Sequence, residues 1–440
     1  MLSIINSVVS RRLCFALLCS IIGGCATYSE SFKPLEKEII AQHPDKALKI
    51  LEKSQPSGND RLLYFLDKAM FLRMMGKFEE SNQSLEEAKK YIRKFSPTSV
   101  TEETAAFIVN DSTRAFIGAP FEQVLVHFYE ALNYLQLGDP DAARVEAQQI
   151  DIQLKVLAQY DKDPILIADP LSRYLTGIIY EGLGEWSNAL IAYRTAYAAY
   201  KAHQKLYSLS IPTYLKYDLI RLTDYEGLRD ERDKYIKEFN ISKWTKESDL
   251  RKQGEVIFIM GNGLAPIKRQ RTVAMAAINN QMVRISLPYY QKRRNGFYSA
   301  RLSAANHVAI STEVKDINKI AEKTLAHYLP TITARAIARA VAKYKVADKV
   351  GDHNALAGFA MMVTNYATEV ADTRSWLTLP GEIHLARLPL APGTYDINLE
   401  LRGAGNQILY THQYKDVQVK RGAKTYLTYH WVSPFALRSQ

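Results

Sequence analysis

A thiol can serve as nucleophile, metal ligand or acyl acceptor, and Cys14, Cys19 and Cys25 are the only cysteines in the chain. Cys25 stands in Ile-Ile-Gly-Gly-Cys-Ala, residues 21–26. Arg11 and Arg12 precede an apolar run of about 10 residues, the length of a secretory h-region. Gly23 and Gly24 supply the small side chains that a signal-peptidase pocket requires. This spacing is that of a lipobox, so removal of residues 1–24 is expected, with acylation of the Cys25 thiol and its new amino group. The alternatives are an ordinary signal cut elsewhere or an uncleaved anchor. Two of the three cysteines fall in the segment to be discarded, which leaves Cys25 as the one thiol of the mature chain. An internal disulfide, a thiolate metal centre and a cysteine nucleophile are thereby excluded there. The apolar run is too short to span a bilayer, which takes about 20 residues. Several acyl chains, at about 0.8 kcal/mol per buried methylene, give stable anchoring. Ala26 after the cysteine favours the outer membrane under the enterobacterial sorting rule, with the chain facing the periplasm.

Other chemistry is thin. The nine histidines show no HExxH pattern and no paired metal-ligand spacing. There is no GxSxG elbow and no phosphate-cradling GxxxxGK loop. Gly261-Asn262-Gly263 follows the strand-like EVIFIM, but Pro266 takes the third-glycine position of a dinucleotide fingerprint. No acid lies between Glu255 and Glu313 to hold a ribose, so a turn is expected instead. Paired carboxylates such as Glu79/Glu80 and Glu86/Glu87 fall on exposed helix faces and read as solvated. No catalytic site, metal site or cofactor emerges, and the chain reads as a non-enzyme.

Two constellations carry the remaining functional signal. The acid-free window holds Arg269, Arg271, Lys292, Arg293 and Arg294 among Tyr289, Tyr290, Phe297 and Tyr298. It is a candidate contact for an anionic partner, or a solvated hairpin whose tyrosines pack inward. Asp372, Arg374 and Trp376 form either a recognition cluster or an ion pair and core tryptophan that fix a helix-to-strand junction.

The elements that would position these residues fall into two halves of opposite charge. The chain has a net charge of +11, and residues 251–440 carry 26 Lys and Arg against 12 Asp and Glu, leaving the first half slightly acidic. Such asymmetry suits anionic lipid or cell-wall polymer as a contact of the second half. The periplasmic compartment argues against nucleic acid.

Residues 34–250 show helical periodicity around three glycines, Gly76, Gly138 and Gly184. Two residues after each comes Phe78, Pro140 or Trp186, and five after comes Ser81, Ala143 or Ala189. The glycine ends one helix in the left-handed conformation, and the small residue lets the next helix approach closely. This is similar to the tetratricopeptide repeat. A first copy would turn near Gln42, and a degenerate fifth would run over Pro212–Phe239 around Tyr225 and Leu228. The main insertion is Phe95–Gln123. A stacked array of this kind presents a concave surface for peptides or proteins.

Residues 251–440 read as a β-rich, immunoglobulin-like domain. Alternation from Tyr395 to Leu401 gives one buried face and one wet face. A helical insert over about 316–370, broken near Pro330, would form a hairpin with the apolar segment Ala355–Val363. The fold class is therefore α+β: an all-α tetratricopeptide-like repeat array followed by a β-sandwich-like domain with a helical insert. Residues 25–33 are left as a lipidated linker.

The lipobox, LYFLDKAMFLRMMGKFEESNQSLEEA, VNDSTRAFIGAPFEQVLVHFYEALNYLQLGD and ADTRSWLTLPGEIHLARLPLAPGTYDINL occur in this order. Together they resemble an uncharacterised family of Gram-negative outer-membrane lipoproteins containing tetratricopeptide repeats. The resemblance covers nearly all of the mature chain, and ADTRSWLTLP is its most specific piece. It implies an envelope lipoprotein and no activity. The expected function is a periplasmic scaffold for other envelope proteins. The alternatives are an activator of a peptidoglycan synthase, argued from architecture alone, and an enzyme acting on peptidoglycan or lipid.

Overall fold

The computed structural model describes residues 28–54, 58–95, 115–160, 168–276, 282–293, 296–353 and 370–434. Residues 1–24, Cys25, Arg294, the centre of the expected insertion and Ala355–Val363 lie outside the described residues. Among the described residues the elements as far as Leu250 are helices, and strands begin at Gly254.

After the short α1 (Tyr28–Ser31), ten helices among the described residues pair into five hairpins. These are α2/α3 (Lys33–Ile40, Pro44–Lys53), α4/α5 (Arg61–Met74, Phe78–Phe95) and α6/α7 (Pro120–Gln136, Pro140–Tyr160). Then follow α8/α9 (Pro170–Gly182, Trp186–Tyr207) and α10/α11 (Thr213–Tyr225, Arg229–Phe239). Each turns at a residue of positive φ: Gln42 at 62°, Gly76 and Gly138 at 74°, Gly184 at 77° and Gly227 at 73°. In every turn the next residue donates its N–H to the carbonyl five back: His43 to Glu38 at 2.8 Å, and Lys77 to Leu72, Asp139 to Tyr134, Glu185 to Tyr180 and Leu228 to Thr223 at 2.9 Å. This Schellman closure satisfies a carbonyl that the helix end would otherwise orphan. Proline at the start of α3, α6, α7 and α8 supplies a preset φ where no N–H partner is needed.

Five residues after the turn, Ala47, Ser81, Ala143 and Ala189 are at most 1% exposed, which is where paired helices approach. The fifth hairpin has Arg232 there and turns at Gly227, between the expected Tyr225 and Leu228. A further close approach lies at Gly177, where a Cβ would sit 2.3 Å from a ring carbon of Tyr193 on the partner helix.

Two four-stranded sheets follow, with β1 Gly254–Asn262, β4 Phe297–Ala304, β5 His307–Ile310, β6 Thr312–Asp316, β7 Glu382–Leu390, β8 Gly393–Gly403, β9 Ile408–Val419 and β10 Lys424–Trp431. The first has the order β10-β1-β7-β6, with β1 parallel to β10 and antiparallel to β7; the second has the order β5-β4-β8-β9. Val256, Phe258 and Met260 of β1 share a core with Leu302, Leu399 and Leu401 of the second sheet. Their neighbours Ile257 and Ile259, with Ile383 and Leu385 of β7, join the core of the helical hairpins instead. The first sheet is thus buried on both faces, which explains why EVIFIM is apolar without alternation. Over Tyr395–Leu401 the alternation is seen, with Ile397, Leu399 and Leu401 fully buried.

Two elements differ from expectation. Residues 28–33 are no linker: they are largely helical, and Phe32 and Leu35 are buried against the array. The insert helix α13 (Ile317–His353) runs through Pro330 without a break. Ala326, whose carbonyl loses its partner to the proline, is exposed, so water can take that role. Through Ala336 and Ala340 this helix packs on Ile285 of the separate hairpin β2/β3 (Ile267–Ala276, Met282–Gln291). Among the described residues no helix is long and apolar enough to cross a membrane.

Gly177→Ala is expected to lower stability by about 1–3 kcal/mol through overpacking against Tyr193. Urea denaturation would show this as a lower midpoint at unchanged slope, and an unchanged midpoint would show that the two helices can separate at little cost.

Candidate functional site: the inner face of the hairpin array

The inner face of the array, taken as the side of the first helices, meets the strand half of the chain through Thr378 at α4, Tyr426 at α6 and Arg387 at α8 and α10. The contact is ionic as well as apolar. Arg387 of β7 donates Nε and Nη2 to the two oxygens of Glu255 at 2.7 and 2.6 Å. Its Nη1 reaches Asp218 of α10 at 2.6 Å and the Tyr174 hydroxyl of α8 at 3.2 Å. Lys424 of β10 bridges Glu181 at 2.7 Å and Glu255 at 2.8 Å. Arg221 ties Glu181 at 2.7 Å to Asp218 at 2.8 Å and also donates to Glu247 of α12 (Glu247–Leu250). The Tyr193 hydroxyl donates to Glu181 at 2.6 Å.

Every charged side chain of this network is at most 8% exposed. Burial opposes ionisation of Glu255, but Arg387 and Lys424 outweigh it and bring its pKa to about 2. Burial likewise opposes Glu181, and Arg221, Lys424 and Arg387 together hold it well below the usual carboxylate range. Three cations face four carboxylates, and at Glu247 burial outweighs Arg221 and pushes the pKa upward. Further along, buried Lys315 of β6 pairs with Asp169, the N-cap of α8, and the Tyr200 hydroxyl donates to the Val314 carbonyl at 2.9 Å.

The sheet does not fill the inner face at the N-terminal end. A crevice of about 460 Å³ remains between α4, α6 and strands β9 and β10. Arg73 of α4 stands in it, half-buried, with its guanidinium 5.6 Å from the Phe78 ring and 5.4 Å from the Tyr129 ring. It donates to the Asn133 side-chain oxygen, and Asn133 in turn donates to Ser81 at 2.9 Å and Asn82 at 2.7 Å. Loss of solvent brings the Arg73 pKa to about 10, so it remains a cation at neutral pH. The opposite wall carries Tyr410, His412, Tyr414 and His430. His430 donates to the Gly263 carbonyl at 2.7 Å, and burial lowers its pKa to about 4, keeping it neutral.

The basic window is placed differently from a free anionic-contact surface. Arg269 pairs with Glu30 at 3.3 Å, Lys292 with Glu322 at 3.3 Å and Arg293 with Glu36 at 3.4 Å. Arg293 is 7% exposed, lies over the Phe32 ring and donates to the Leu377 carbonyl at 3.2 Å. Arg271 lies over Tyr289. The acids that meet this window are largely those of the N-terminal helices, which the hairpin β2/β3 clamps onto the body.

Asp372, Arg374 and Trp376 also face inward. Arg374 holds Asp372 at 2.8 Å, Asp60 at 3.3 Å and the Asn59 carbonyl at 3.3 Å, and lies over the Phe116 ring. The Trp376 N–H donates to buried Glu122 at 2.7 Å. Its indole N–H donates to Thr378 at 2.9 Å, and the Thr378 hydroxyl donates to Asp67 at 2.6 Å. The segment therefore stitches hairpins two and three to the sheet.

Among the described residues His127, Glu130 and Glu146 bring ligand atoms within 4.8 Å of one another, a grouping that could hold a metal ion. The Lys89 ammonium lies 2.7 Å from Glu130 and 3.1 Å from Glu146, so the protein supplies a cation there itself. Burial and the neighbouring Glu146 bring the Glu130 pKa to about 8.

Sequence reasoning missed Arg73 and the network because neither forms a local motif. The available signal was position: Arg73 and Glu181 each stand three residues before their turn glycine, as do inward-facing Ile39 before Gln42 and Leu135 before Gly138.

No family model and no curated protein matches this chain. Among solved structures it is similar to MamA from AMB-1, with 14% identity, a TM-score of 0.30 and coverage of 48% of this chain and 88% of that one. A Podosopora anserina protein with nearly identical TPR-like repeats matches with 15% identity, a TM-score of 0.31 and coverage of 48% and 92%. The Rap conjugation gene regulator of plasmid pLS20, in complex with the Phr* peptide, matches with 15% identity, a TM-score of 0.29 and coverage of 47% and 52%.

Replacing Arg387 with Met leaves Glu255 and Asp218 short of a buried partner, and breaking such a pair costs about 3–5 kcal/mol. Because the Glu255 pKa falls from 4.5 to about 2 on folding, its contribution is complete above pH 4.5 and lost as pH falls toward 2. Urea titrations between pH 6 and 2.5 should show a flatter acid limb in Arg387→Met than in the parent. Parallel curves would remove Arg387 as the source of that stability.

Proposed function

We propose that this chain is an outer-membrane lipoprotein, anchored through Cys25 on the periplasmic side, that serves as a protein-binding scaffold. In this reading its five hairpins are a tetratricopeptide-like array and its paired sheets an immunoglobulin-like sandwich. The observation that carries the proposal is the crevice around Arg73. A repeat array offers its inner face to extended ligands. Here the chain's own sheet packs on that face at α6, α8 and α10 and leaves a pocket of ligand size at the N-terminal end. The partner surface is thus narrower than a whole concave groove, and it lies near the proposed anchor. The packing of Arg269, Lys292 and Arg293 onto acids of the same chain moves the weight of the proposal from anionic polymers to proteins. No convergent acid–base pair opens into the crevice, so binding and not turnover is the proposed role.

Two measurements test this. Cys25→Ser should move the protein from the outer-membrane fraction to the soluble periplasm, and a variant that still sediments with membrane would require another anchor. A photo-crosslinking residue at Tyr410 should trap protein partners in intact cells, whereas one at exposed Lys234 should not. Equal yields at the two positions would sink the crevice as the partner surface.

A further inference from the structure

We propose that the Arg73 crevice binds the carboxylate of a peptide chain, held in the fork of the Arg73 guanidinium; this rests on the scaffold reading and names its ligand. Three residues before the turn, each of the first four hairpins directs a side chain at the inner face: Ile39, Arg73, Leu135 and Glu181. Three of these are at most 6% exposed. Glu181, the charged one among them, meets Lys424, Arg221 and Arg387 of its own chain. At Arg73 the corresponding counter-charge is missing. The residues that line the crevice include no aspartate or glutamate, and among the described residues the partners of Arg73 are Asn133 and two aromatic rings.

Arginine presents five N–H donors in a planar fork that matches a carboxylate in bidentate fashion. One interaction with Asn133 leaves most of that fork for a ligand. The Phe78 and Tyr129 rings and the Asn133 amide fix its position, and this pre-organisation lowers the ordering cost of binding. The rest of the lining selects the ligand's body. Met70 and Met74 supply adaptable apolar contacts. Tyr410, His412 and Thr428 interleave hydrogen-bonding groups with aromatic surface. An acyl chain would leave such groups unpaired, whereas backbone amides of a peptide can meet them.

The test uses the full mature chain and two pools of acetylated tetrapeptides, one of free acids and one of C-terminal amides. Retained peptides are quantified by mass spectrometry after equilibrium capture. Free acids should be retained at least tenfold better than amides, the advantage should vanish in Arg73→Gln, and Arg73→Lys should keep part of it. Equal retention of acids and amides overturns the proposal. So does selective retention of laurate or inorganic phosphate in place of peptide. Should Arg73→Gln fail to fold, the acid-to-amide ratio of the parent and the site of peptide photo-crosslinking from position 410 decide the question. Partner capture in cells that is unchanged by Arg73→Gln would leave the scaffold standing and remove this ligand from it.

Discussion

The buried contact between Arg387, Glu255 and Asp218 determines how the two halves of this molecule relate. Helices and strands from opposite ends of the sequence each bring charges that would be too costly to bury alone. They become tolerable only when Arg387, Arg221 and Lys424 meet Glu255, Glu181 and Asp218 in one arrangement. Apolar packing of Ile257 and Ile259 against the helices supplies attraction without direction. The ion network adds the direction, because a sheet shifted by one residue would strand several charges in the interior. Sheet and array therefore behave as one body with a shared core, more than as two modules on a linker.

The same logic extends along the interface. Lys315 with Asp169, Thr378 with Asp67 and the Trp376 N–H with Glu122 are further points where the strand half meets a polar group of a helix. Two of these contacts, from Trp376 and Thr378, come from the segment Ala371–Pro380. Burial pushes the Asp67 pKa up to about 6, against the opposing pull of its hydroxyl donors Thr378 and Tyr28 and of the Arg293 charge.

Much of the helical array was legible in the sequence, because a turn glycine and a small residue five positions later are local requirements of close helix pairing. Gly76, Gly138 and Gly184 showed this directly, and Gln42 fits because its turn keeps the same hydrogen bond. Gly227 was harder to place, since Arg232 replaces the small residue. The ion network could not be read, because Arg387 lies 169 residues from Asp218 and 132 from Glu255. Charge counting left an external anion open for the basic window, beside a solvated hairpin, for the same reason. A local tally sees Arg269 and Arg293 but not Glu30 and Glu36, more than 200 residues earlier. Pro330 was read as a break because its cost is local, whereas the exposed side of α13 that accommodates it is a tertiary fact.

The helical start at Tyr28 has a mechanical consequence. Phe32, Leu35 and the Tyr28–Asp67 contact fix this end of the chain to the body, so an acylated Cys25 would have the slack of three residue-to-residue steps. At about 3.3–3.6 Å per extended residue, that slack is about 10 Å. If the proposed anchoring at Cys25 holds, a protein moored so closely would not roam the periplasm on a long leash. It would sit with its first hairpins against the headgroups, its orientation set by the mooring. The Arg73 crevice, which Ile39, Gln42 and Pro44 of the first hairpin help to line, would then lie on the anchored side of the molecule.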